Sequence, residues 1–297
     1  MIIEMFNLWY WVAIVLSVGS FFGLHFLLRN RSDKTKKIVL FSILAFALLL
    51  HFLKVYFPPY SVDQARMYRD IWFINICAVS ILIFPFIFLS KNQTWRDYMV
   101  YLGLASGIVA MIYPIEPLEK SNQAGEILDI IRFYIHHSII WVVPLLMITL
   151  KLHKVSYKRL WRMPACLLAV FLFIMVNQLF QQELGFTPVR GGDTLDITDI
   201  GYKNTSYIWG ADEGDVIGDI LDFFCPDVFK TIPVGKYAGQ RKHWPLVWLV
   251  VPVHVLFLPL CAGMCMIFDR KNFIDGIVYA KNWVVTTVKS IFKKAKG

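Results

Sequence analysis

The fold class this sequence predicts is all-α: a polytopic membrane bundle of about seven helices, with an outer-side loop domain and a C-terminal amphipathic helix. Three observations predict it. Of 297 residues, 57% are hydrophobic and only 17% charged, whereas soluble domains sit near roughly 45–50% and about 25%. Apolar stretches near the length of about 20 residues that crosses a bilayer recur along the chain. Basic residues, finally, gather in alternate connections, as the positive-inside bias requires.

The spans fall at residues 8–28, 38–57, 71–90, 98–114, 128–150, 163–180 and 244–268. The first begins after Glu4 without a basic lead or a small-residue cleavage site, so it reads as a retained span rather than a signal peptide. Arg29, Arg31, Lys34, Lys36 and Lys37 follow it. Lys91 and Arg96 flank the third connection, and Lys151, Lys154, Lys158, Arg159 and Arg162 fill the fifth. The two short opposite loops hold only Arg66, Arg69 and Lys120. The bias therefore places the N-terminus outside and the C-terminus inside. It also accounts for the net charge of +9 without a nucleic-acid partner.

Two segments fall outside the bundle pattern, which runs over residues 1–268. An insertion at 181–243 holds ten of the 21 acids, among them Asp215, Asp219, Asp222 and Asp227. A structureless loop of that length is uncommon, so a folded cap or lid is expected. Its aspartates lack the spacing of an EF-hand and read as a solvated acidic surface. The tail at 269–297 repeats Ile274, Ile277, Val278, Val284, Val285, Val288, Ile291 and Phe292 at helical spacing between lysines. Such a helix suits the surface of an anionic leaflet.

Ionisable groups at membrane depth are costly, so those present are the candidates for function. Counted at about 1.5 Å per residue from the outer ends of their spans, Cys77, His137 and His254 lie roughly 10 to 15 Å deep. His51 and Asn177 belong to the same outer half. Cysteine and histidine in one buried layer suit nucleophilic catalysis, because the thiolate attacks and the imidazole takes its proton. The competing reading is structural: free cysteine is commonly buried, and a helix histidine often bonds a neighbouring span. His136 shares a face with Asp129 and Arg132, whereas His137 is turned toward Phe133 and Trp141. Arg132 is placed to pair with Asp129 or to hold a lipid phosphate. Cys166 and Cys225 have no disulfide partner at their level. Cys261 and Cys265 lie near the depth of His25, but their spacing is a weak zinc pattern without a fourth ligand. No metal is expected, and without a glycine-rich phosphate loop no nucleotide cofactor either.

The segment Asn75-Ile-Cys-Ala-Val-Ser-Ile-Leu-Ile-Phe-Pro85, then Tyr113-Pro114 and Arg132-Phe-Tyr-Ile-His-His-Ser138, resemble the bacterial YwaF family and its animal relative, transmembrane protein 164. Phe22-Gly-Leu-His25, Asn177, Asn204-Thr-Ser-Tyr207 and Trp244-Pro245 are similar in the same order. The resemblance covers most of residues 20 to 260. It implies a cysteine acyltransferase that moves a fatty acyl chain between phospholipid and lysophospholipid through an acyl-cysteine. Cys77 matches the nucleophile and His137 the histidine of the fifth span. Where the bacterial branch often has histidine two residues before the cysteine, this chain has Asn75. The bacterial branch is the nearer one, which implies a bacterial cytoplasmic membrane.

The expected site therefore has Cys77 as nucleophile and His137, or His136, as general base and later acid. Asn75, Asn177 and His254 are the candidates to orient the base or bind the oxyanion. Arg132 is the candidate for the lipid headgroup, and membrane phospholipids and lysolipids are the expected partners. The alternative from another class is a non-catalytic membrane protein, a small-solute transporter or an assembly factor, that uses the same polar layer for ligand binding or helix packing.

Overall fold

The computed structural model describes residues 3–120, 125–185, 206–211, 215–233, 235 and 237–294. Among them the chain is helical, with no strand beyond an isolated bridge between Thr231 and Arg241. Six helical stretches are long and apolar enough to cross a membrane: Leu8–Leu28, Asp33–Tyr56, Gln93–Leu118, Ile127–Thr149, Tyr157–Glu183 and Val247–Phe268. A seventh apolar helix, Ile76–Leu89, is shorter.

Side-chain caps set most of the starts. Helix α1 (Leu8–Leu28) begins where Asn7 accepts from the Tyr10 amide, and α2 (Asp33–Leu53) where Ser32 accepts from Thr35. The second span thus starts five residues before the apolar run, because a capped first turn carries the lysines. The short α3 (Gln64–Asp70) leads to α4 (Ile76–Leu89). Asn92 caps α5 (Gln93–Ile112), and α6 (Ile115–Lys120) follows. The central α7 (Ile127–Thr149) and α8 (Met163–Glu183) come next. The last span, expected to be continuous over 244–268, is segmented: α10 (Val250–Pro252) passes through a π-turn at Val253–Phe257 into α11 (Leu258–Phe268). Prolines at 252 and 259 remove backbone donors on either side of that turn.

The core is centred on α7, with α1, α2, α4 and α5 packed around it. Two glycines one turn apart let α5 approach α7 closely. A Cβ on Gly103 would stand 2.5 Å from the Ile140 carbonyl oxygen, and one on Gly107 2.8 Å from Trp141 Cβ. This is small-residue packing of the kind that joins helices where lipid supplies no hydrophobic drive. Polar contacts fix α1 against α7: Trp141 Nε1 donates to Ser17 Oγ at 3.0 Å, and His25 lies 3.2 Å from Thr149 Oγ1.

At the end of the bundle that carries Lys91 and Arg96, the buried Asp97 holds the connection after α7. His153 Nε2 is 2.7 Å from it, and Arg159 reaches it with Nε at 2.6 Å. Of the insertion at 181–243, the described part includes α9 (Val216–Phe223) and loops around Asp222, which bonds both Lys230 and His243. Asp193, Asp196, Asp199, Asp212, Glu213 and Asn204 lie outside the described residues. The tail forms α12 (Arg270–Lys294), on which Ile274, Ile277, Val278 and Trp283 stand exposed.

Candidate functional site

The apolar run at 71–90 does not form one helix. Residues 71–75 leave helical geometry, and α4 begins only at Ile76, where extended Asn75 places its side-chain oxygen 2.8 Å from the Ala78 amide. The cause is local: asparagine competes for backbone donors and so favours the cap position over the helix interior. Fourteen residues of α4 rise about 21 Å, short of the roughly 30 Å of hydrocarbon. The unwound segment covers the remainder.

Non-helical backbone at membrane depth survives only where protein satisfies its polar groups. Side chains from other elements do so here. Lys54 Nζ donates to the Asp70 carbonyl, and His51 Nε2 lies 3.0 Å from that of Ile71. Asn177 Nδ2 of α8 donates to the Phe73 carbonyl at 3.1 Å, and Ser206 Oγ of the insertion to that of Ile74 at 3.2 Å. Cys77 is thereby the second residue of a half-buried helix start that lies between the buried Ile74 and Val79. The amides of Ile76 and Cys77 come before the first intrahelical donor, that of Val79, and they have no backbone partner among the described residues.

The two adjacent histidines of α7 are bound differently. His137 Nδ1 lies 2.8 Å from the Phe133 carbonyl. A carbonyl only accepts, so Nδ1 carries the proton and Nε2 keeps its lone pair. His136 Nδ1 lies 3.2 Å from an Arg132 guanidinium nitrogen. Arginine only donates, so this Nδ1 is the acceptor and the proton sits on Nε2. That Nε2 is buried without a partner among the described residues. The His136 ring also faces His51, 6.2 Å away at 24°, and His51 stacks on Phe73 of the unwound segment at 4.6 Å.

A buried ion cluster anchors this arrangement. Arg132 meets Asp129 through Nε at 2.8 Å, and Tyr60 donates to the same carboxylate at 3.1 Å. Arg66 pairs with Glu126 through two nitrogens at 2.6 and 3.1 Å. Burial holds the Tyr60 phenol above its ordinary pKa, although Arg132 opposes it, so Tyr60 stays a donor. For Arg66 burial disfavours the charge, but the hydrogen bond to Glu126 together with the charge interactions of Tyr60, Glu126 and Asp129 outweighs it and raises the pKa. The Glu116 carboxylate at the start of α6 lies within electrostatic reach of both Cys77 and His137.

Of the residues singled out in the sequence, Asn75 and Asn177 thus meet at the broken segment just before Cys77. His136 and His137 lie on α7, which packs against α4. Cys77 makes no hydrogen bond to either imidazole among the described residues. Arg132 spends its donors on Asp129, His136 and Tyr60. His254 is exposed, its Nδ1 on the Val250 carbonyl of its own helix. It is not joined to the others. Among the described residues no cluster of His, Cys, Asp and Glu has the form of a metal site. Sequence reasoning missed Lys54, Tyr60, Arg66, Glu116 and Glu126. Their signal, if any, is the spacing Glu126, Asp129, Arg132, which puts two acids and a base on one helix face.

A family model described as the TMEM164 family matches residues 4–211. The match includes α1 to α8 and ends before the last span. No curated protein and no solved structure matches the chain.

Proposed function

The chain belongs to the TMEM164 family, and for it we propose an intramembrane acyltransferase that moves a fatty acyl chain between phospholipid and lysophospholipid through an acyl-Cys77 intermediate. One observation carries the reading: the helix that bears Cys77 starts half-buried in the bundle, packed against the helix whose His137 keeps an Nε2 lone pair with no partner among the described residues. A helix start offers unpaired amides and partial positive charge to an anion. An imidazole protonated only at Nδ1 is ready to act as a base.

In the proposed reaction His137 Nε2 takes the Cys77 proton and the sulfur attacks an ester carbonyl carbon. A sulfur–carbon bond forms, and the oxyanion lies against the amides of Ile76 and Cys77. Collapse breaks the ester C–O bond, and the leaving lysolipid oxygen receives the proton from His137. A second lysolipid then places its hydroxyl where the first one left. His137 removes that proton, the oxygen attacks the thioester, the C–S bond breaks, and the leaving Cys77 sulfur takes the proton back from His137. Two ester-type exchanges balance without oxidant or reductant. Asn75 and Asn177 are positioning residues, since they hold the backbone that leads to Cys77.

The test uses purified protein with phospholipid and an isotopically labelled lysolipid. Acyl exchange by the parent that Cys77→Ser abolishes supports the reading. Exchange that survives both Cys77→Ser and His137→Ala removes it, and a parent without exchange favours a non-catalytic role for the polar layer.

A further inference from the structure

Beside the unwound segment lies an apolar groove of about 320 Å³, formed by Trp72 and one face of α8: Phe173, Val176, Asn177, Phe180, Gln181 and Leu184. From Phe173 to Leu184 this face runs eleven residues, about 16 Å along the helix. Two features set it apart from an ordinary crevice between helices. Asn177 belongs both to the groove and to the backbone before Cys77, through its bond to the Phe73 carbonyl. Phe73 stands four residues before Cys77, so the two Cα atoms are no more than about 14 Å apart. Gln181, moreover, is 2% exposed, and its Nε2 has no hydrogen-bond partner among the described residues. A buried amide donor in apolar surroundings calls for an acceptor.

We infer that this groove holds the retained chain of the glycerophospholipid, the one that stays on the glycerol in both half-reactions, with the Gln181 side chain turned into the groove so that Nε2 donates to its linking carbonyl oxygen. The inference rests on the acyl-transfer reading for the identity of the lipid. The tail lies along Phe180, Val176 and Phe173, and the glycerol that joins the two chains leaves the other ester near the start of α4. The leaving and the accepting lysolipid both carry such a chain, so one groove serves both halves of the exchange. Asn177 then links occupancy of the groove to the position of the backbone before Cys77.

The test is labelling by a lysophosphatidylcholine with a diazirine in its acyl chain, applied to full-length Cys77→Ser protein so that the result does not depend on acyl transfer. Adducts are expected on Trp72 and on the 173–184 face of α8. Val176 is 44% exposed, so Val176→Trp fills the groove from outside the core. It should cut that labelling roughly tenfold and leave labelling of the exposed Val15 and Leu16 of α1 unchanged. Gln181→Leu should cut it several-fold, as should competition by excess unlabelled lysophosphatidylcholine. Equal labelling of the α1 and α8 faces, indifferent to Val176→Trp and Gln181→Leu, means ordinary annular lipid and overturns the inference. A parent that exchanges no acyl chains yet labels as described retains the groove and loses only the transfer reading.

Discussion

His136 and His137 are consecutive residues that carry their imidazole protons on opposite nitrogens. Arg132 forces the Nδ1 of the first to accept, and the Phe133 carbonyl forces the Nδ1 of the second to donate. Only His137 therefore presents a free lone pair at Nε2. His137→Ala should lower acyl exchange at least about a hundredfold, the lower end of what a general base contributes. It should lower the melting temperature less than His136→Ala, which also removes a partner of Arg132. His136→Ala should do the reverse, with a clear loss of thermal stability and a smaller loss of rate. Equal kinetic losses in the two variants at unchanged stability would contradict this division.

Asp129 is almost fully buried between Arg132, Tyr60 and Arg66. Removal of one partner from a buried ion pair leaves an uncompensated charge and costs roughly 3–5 kcal/mol. Arg132→Ala and Asp129→Ala should each melt many degrees below the parent in detergent. The double variant should recover part of the loss, because no lone charge remains. Single variants that melt with the parent would show that the cluster adds nothing to the fold.

The start of α4 depends on Asn75. Asn75→Ala removes the cap at a cost of about 1 kcal/mol and lets the helix lengthen toward Phe73. Acyl exchange should fall more than stability does, since Cys77 moves with the helix end. Asn75→Ser keeps a capping oxygen and should retain most of the rate. A serine variant as impaired as the alanine variant would point to a role for the carboxamide other than the cap.

Hydropathy made the bundle legible, because burial in lipid is written in composition and in run length. Counting residues from the span ends put Cys77, His137 and Asn177 at one level, which made it legible that Asn177 and His137 belong near the Cys77 helix. The break before Cys77 was not legible. Ile71-Trp-Phe-Ile74 is as apolar as the helix that follows, and hydropathy does not register whether apolar backbone is coiled or extended. Asn75 was the one local sign, and it reads equally well as a contact to another span. Its oxygen in fact caps its own helix. The partners that make the break tolerable lie 16 to 132 residues away in sequence, so no local pattern announces them. The segmented last span escaped for a related reason: proline marks a disturbance but not its form, here a π-turn that leaves His254 exposed.

The central claim is a covalent bond to one sulfur. Purified protein incubated with phospholipid, without an acceptor lysolipid, and quenched in acid should show an added acyl mass on the peptide that contains Cys77. Hydroxylamine should remove the adduct, and Cys77→Ser protein should lack it. An acyl adduct on any other residue, or full exchange by protein whose Cys77 peptide stays unmodified at every time point, would contradict the account.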